Sequence, residues 1–132
     1  MMDILQPPGW PRPRGYSNGV AASGRQVFVS GMIGWNDQGH FESGDFALQA
    51  RQALLNIVAV LREADARPEH IVRMTWYVLD KREYLAASEA LGAAYREIIG
   101  RHYPAMTAVE VRALIEDRAR VEIEVTAVVP EA

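Results

Sequence analysis

The stretch Ile71 to Leu79 (IVRMTWYVL) most restricts what this chain can become, because it is β-branched or aromatic on both alternating faces and sits between two segments of helical period. Such a run reads as a strand buried on both sides. Before it, Phe46, Ala50, Ala53, Leu54, Ile57, Val58, Leu61 and Ala64 recur at helical spacing, with Asp45 placed to cap the start and Pro68 to enforce the stop. That predicts a helix of about five turns. After it, Asp80 and Glu83 form a D-x-x-E capping box, Tyr84, Leu91, Ala94, Tyr95 and Ile98 make one stripe, and Gly100 ends it. This predicts a second helix.

The flanks read as strands. Tyr16 to Ala22 and Gln26 to Ser30 are short β-type runs joined by Ser23-Gly24-Arg25, a hairpin signal. Met106 to Leu114 and Arg120 to Val129 form a second pair, joined by a turn around Glu116-Asp117. Thr107, Val109, Val111 and Ala113 share one face, as do Val121, Ile123, Val125, Ala127 and Val129, while Glu110, Arg112, Arg120, Glu122 and Glu124 point the other way. Two helices cover only one face of such a sheet. The other, where Met106, Ala108 and Val128 mix with charges, needs another cover, and self-association is expected to supply it.

Size and composition narrow the function classes. A chain of 132 residues, 49% apolar and 23% charged, suits one domain over residues 1–132 that buries roughly two thirds of its unfolded surface. Residues 1–14, with Pro7, Pro8, Pro11 and Pro13, read as a stiff leader along the surface, although Pro8 and Pro11 also have the PxxP spacing of an SH3 ligand. Without cysteine there is neither a disulfide framework nor a thiolate nucleophile. The net charge of −3, from 14 basic and 17 acidic residues spread along the chain, gives no basic block for phosphates, so nucleic acid is not an expected partner. No stretch approaches the ~18 apolar residues of a membrane span, and a cytoplasmic location without membrane partners is expected. His40, His70 and His102 lack the spacing of a shared metal site.

Four blocks now stand in order: VFVSGMIG (27–34), QARQALLNIVAVLREA (49–64), HYPAMTAVEV (102–111) and VEIEVTAV (121–128). Together they resemble the RidA (YjgF) family from about Tyr16 to Val129. The resemblance implies an α+β fold like that of trimeric chorismate mutase, a mixed sheet of about six strands with two helices packed on one face. It also implies a homotrimer with ligand clefts between subunits. Active members of the family hydrolyse reactive imines and enamines to ketones and ammonia, and no metal or organic cofactor is implied.

Hydrolysis of C=N needs a water beside the carbon, a group to take its proton, and something that fixes the substrate. Carried over by the resemblance, the proton acceptor falls on Glu122, a hydrogen-bonding tyrosine on Tyr16, and the cleft-lining Ser-Gly on Ser30 and Gly31. The family's P-A-R-[ST] stretch grips a substrate carboxylate through its arginine. Here it reads Pro104-Ala105-Met106-Thr107, which puts Ala105, Met106 and Thr107 in the ligand site and removes the clamp. Methionine has no donor. Losing two charge-assisted hydrogen bonds at about 1.5–3 kcal/mol each would weaken binding by about two to four powers of ten. Arg112 is too far along its strand to replace the clamp, whereas a neighbouring subunit's Arg14 or Arg120 is a candidate. Glu89, or Ser88 if the alignment slips by one, stands where the family commonly has asparagine.

Each assignment has an ordinary counterpart. Glu122 would pair with Arg112 across the final hairpin, Tyr16 would be a strand aromatic, Met106 an interface filler, and Trp35 and Trp76 packing residues. The expected activity is a RidA-like deaminase of an imine or enamine other than the usual amino-acid-derived 2-imino acids. The alternative is a non-catalytic trimer that binds a small metabolite or a partner. A third reading, from older family labels, is ribonuclease or translation inhibition, which the acidic balance disfavours.

Overall fold

The structure is a computed structural model and describes residues 2–131. Along the chain run β1 (Met2–Leu5), β2 (Gly19–Ala22), β3 (Arg25–Met32), α1 (Phe46–Glu63), β4 (Ile71–Val78), α2 (Lys81–Ala86), α3 (Ser88–Ile98), β5 (Ala105–Glu110) and β6 (Val121–Val129). The main sheet has the order β3-β6-β4-β5, with β4 and β5 parallel and the other pairs antiparallel. The class is the expected α+β with a mixed sheet, but β1 and β2 form a separate two-stranded sheet.

Helix α1 begins where Asp45 accepts the Leu48 N–H at 3.0 Å. Its buried stripe, including Leu54, Ile57 and Leu61, joins Ile71, Met74, Ile123 and Val125 in one core between helix and sheet. Burial of each such side chain contributes about 1.5–3 kcal/mol. Pro68 is not what ends the helix. Asp65 takes a left-handed conformation (φ 54°), and the N–H groups of Ala66 and Asp65 return to the carbonyls of Leu61 (2.9 Å) and Arg62 (3.1 Å), closing a Schellman motif. The buried Gln49 ties α1 to the loop after β3 and the loop before β6, which meet at one end of the sheet, donating to the Ser43 and Arg118 carbonyls and accepting from the Arg120 N–H.

The second helix is two helices, broken at Ala87. Asp80 caps Arg82 N–H at 2.9 Å, but the capping box does not close, because the Glu83 carboxylate is taken by Arg120. Gly100 ends α3 as expected, at φ 94°, with its N–H on the Tyr95 carbonyl.

Both expected hairpins are corrected. β2 pairs with β1 rather than β3, so the leader carries a strand, and Gln6 holds the following turn through the Trp10 and Pro11 carbonyls. β5 and β6 do not pair, since β4 lies between them. Alternation shows which residues share a face, not which strand is the neighbour, and here the parallel register reverses β5. Met106 sits opposite the buried Met74 on the helix side, while Val109 lies opposite Tyr77 on the open side. The expectation that Met106 and Ala108 share a face with Glu122 and Arg112 is therefore corrected. β4 is buried on one face only within the chain, with Arg73, Thr75 and Tyr77 on the open side beside Phe28, which is 70% exposed.

Candidate functional site

Ser17 fixes the start of β5. Its N–H donates to the Pro104 carbonyl at 2.9 Å, its hydroxyl to the Tyr103 carbonyl at 2.5 Å, and it forms a parallel bridge with Ala105. This stitch holds the Arg14-Gly15 turn against the sheet edge, over a cavity of about 500 Å³ whose floor includes Met106, Trp76 and Tyr103 and whose far wall is α3. Tyr95 and Tyr103 stack at 5.4 Å, and Trp76 meets Tyr84 edge-on at 6.1 Å. The Tyr95 hydroxyl donates to the His102 carbonyl at 2.5 Å. Burial, with a smaller contribution from Tyr103, pushes its phenol far above the usual value. Trp76 is 4% exposed, yet its buried indole Nε1 has no hydrogen-bond partner among the described residues.

The open face of the sheet holds a second group. A β-bulge between Val29 and Met32 brings Gly31 under Glu122, where an added methyl carbon would lie 2.7 Å from Glu122 Cδ and collide with its carboxylate. Only glycine admits this approach. Ser30 lines a shallow hollow with Phe28, Arg73, Thr75 and Glu124. Tyr77, opposite Glu122 in register, donates to Glu124 at 2.5 Å, and that hydrogen bond, helped by burial, raises its phenol.

The expected site residues thus fall into two sets. Met106 lies in the cavity floor, with Ser88 rather than Glu89 among the walls, whereas Ala105, opposite Arg73 in register, falls on the open side and is not among them. Tyr16 is 43% exposed and lines an adjoining hollow with Arg101, His102 and the shared Tyr103. Ser30, Gly31, Glu122 and Thr107 lie on the strands of the open face or its bulge. The expected Glu122–Arg112 pairing does not form, because Arg112 lies beyond the end of β5, β4 separates β5 from β6, and Tyr77 takes the place opposite Glu122. Arg120 is occupied by Glu83, whereas Arg14 stands at the cavity rim. His70 accepts the Arg67 N–H, His102 contacts the Ile71 carbonyl, and Trp35 packs at 6.3 Å from Phe41. The sequence reading missed Tyr84, Tyr95, Tyr103 and Arg96 as cavity walls. A usable signal was Gly92 in a helix interior, where glycine is unfavourable by about 1 kcal/mol against alanine unless something packs on it.

The sequence profile of the family described as Endoribonuclease L-PSP matches residues 11–129. A RutC family protein of Synechocystis is 34% identical over 132 residues, covering 98% of each chain. The chain belongs to the RidA family. The human 2-iminobutanoate/2-iminopropanoate deaminase is 31% identical over 114 residues, 86% of this chain and 79% of its own. The crystal structure of a Rid family protein of unknown function from Yersinia pestis superposes with a TM-score of 0.83 at 31% identity, covering 97% of this chain and 98% of that one.

For a RidA protein, the arrangement has a direct consequence. Met106 and Glu122 face opposite sides of the sheet, three residues apart along the strands and two strands apart, which is roughly 10 Å in each direction. A single protomer does not bring both against one small substrate.

Proposed function

We propose that this RidA member is a hydrolytic deaminase of a reactive imine or enamine, working as a homotrimer in which the cavity edge of one protomer meets the open face of the next. The observation that carries this reading is Glu122 held over Gly31, with Ser30 close by on an unpartnered sheet face. In the assembled cleft, Glu122 accepts a proton from water as the oxygen adds to the C=N carbon. That proton passes to nitrogen to give the carbinolamine, and Glu122 then takes the hydroxyl proton and returns it to nitrogen as the C–N bond breaks, so that the ketone and ammonia leave.

The name of the human relative places imine deamination in the family, and Met106 argues against this chain sharing those small 2-imino acid substrates. A cation at that position would grip their carboxylate, and a thioether does not. The test is to generate 2-iminopropanoate and the imine of phenylalanine enzymatically and to follow ammonia release, with sedimentation of the same preparation. A trimer with turnover that Glu122→Gln abolishes is expected. A monomer, or turnover untouched by Glu122→Gln, would overturn the reading. A non-catalytic binding trimer is the second reading, favoured by the loss of the clamp at 106, and it predicts ligand-dependent thermal stabilisation without ammonia release.

A further inference from the structure

We infer that the carboxylate anchor of this protein has moved from β5 to α3, and that the cavity takes an aromatic 2-oxo or 2-imino acid whose carboxylate is held by Arg96. The inference rests on reading this cavity as part of the substrate cleft. Arg96 lines the cavity, and its Nη1 lies 3.1 Å from where a side-chain carbon at Gly92 would stand, so the guanidinium runs back along α3 over Gly92. Among the described residues Arg96 has neither a salt bridge nor a side-chain hydrogen bond, unlike Arg51 and Arg120. Arg14 faces the same cavity, and among the described residues no carboxylate is in its walls. Two guanidiniums without a counter-charge favour an anion.

The remaining walls define the rest of the ligand. Trp76, Tyr84, Tyr95, Tyr103, Leu91 and Met106 enclose a volume within the range that houses drug-sized molecules, and flat rings pack well against them. A three-carbon acid would reach Arg96 but leave the aromatic walls bare. A ring on the third carbon fills them.

The test is calorimetric titration of the intact protein with phenylpyruvate, pyruvate and the neutral ketone phenylacetone. Phenylpyruvate is expected to bind at least tenfold more tightly than pyruvate. Arg96→Gln, at an exposed position with an unchanged melting temperature, is expected to weaken phenylpyruvate about tenfold or more while leaving phenylacetone within about twofold. Arg96→Lys recovers part of the loss. Equal affinities for pyruvate and phenylpyruvate, no binding of any probe, an unaffected Arg96→Gln, or a full loss from Arg14→Gln instead would each overturn the inference. The binding pattern without imine turnover sinks the deaminase reading alone. Turnover of the phenylalanine imine that ignores Arg96→Gln sinks the relocated anchor alone.

Discussion

The Arg120 guanidinium meets the Glu83 carboxylate through two parallel hydrogen bonds, Nε to Oε1 at 2.7 Å and Nη2 to Oε2 at 2.5 Å. This fork ties the entrance of β6 to α2, and Glu83, backed by Asp80, holds the guanidinium above its already high pKa. It also commits the charge of Arg120 to a partner within the protomer.

Glu83→Ala should therefore affect stability rather than specificity. Because the Arg120 side chain is 38% exposed, the loss is expected to be about 1–2 kcal/mol, lowering Tm by several degrees. Arg120→Gln should leave affinities for carboxylate-bearing ketones unchanged. Thermal unfolding and calorimetry on the same samples check both.

Met106→Arg restores a cation on the cavity floor. The expected outcome is a rise of about two powers of ten in kcat/KM for 2-iminopropanoate, read as ammonia release, with a smaller gain for aromatic imines. No gain for the small imine would mean that position 106 does not face the reacting molecule.

Gly31→Ala tests the support of Glu122. The added methyl collides with the carboxylate and must push it aside. Turnover is expected to fall at least a hundredfold while the protein remains folded, because under the proposed function a displaced Glu122 no longer reaches the water. Circular dichroism and ammonia release in parallel distinguish displacement from unfolding.

Alkaline pH should destabilise the fold through Tyr95, with Tyr84, also raised by burial, contributing in the same sense. The unfolded tyrosine loses its proton near 10.0 while the folded one keeps it, so the unfolded state binds fewer protons as pH rises. Stability from this source is complete below about pH 10 and is lost progressively above it. Tyr95→Phe should flatten the fall of Tm between about pH 9 and 11, at the expense of the hydrogen bond to His102.

What the sequence disclosed follows from the range of each interaction. Asp45 and the stripe to Leu61 are local, and α1 was legible almost to the residue. The end of the helix was misread because an aspartate in a left-handed turn leaves less trace than a proline. Strand partners were not legible: Met2–Leu5 meets β2 across the whole leader, and β5 meets β4 across α2 and α3. That single missing pairing reversed the face of Met106. In the site, position 106 stood out because its neighbours form a recognisable stretch. Trp76 and Arg96 did not, since a tryptophan in a strand and an arginine on a helix have many ordinary uses until folding sets them around one hollow.

The opposed outlook of Met106 and Glu122 also makes the proposed trimer a shared enterprise. Each hollow would borrow its base from a neighbour, so two crippled chains, one altered at the cavity and one at Glu122, could rescue each other when co-assembled. A mixed population carrying only Glu122→Gln would lose output in simple proportion to its dose, one hollow for each faulty subunit, with the remaining hollows untouched.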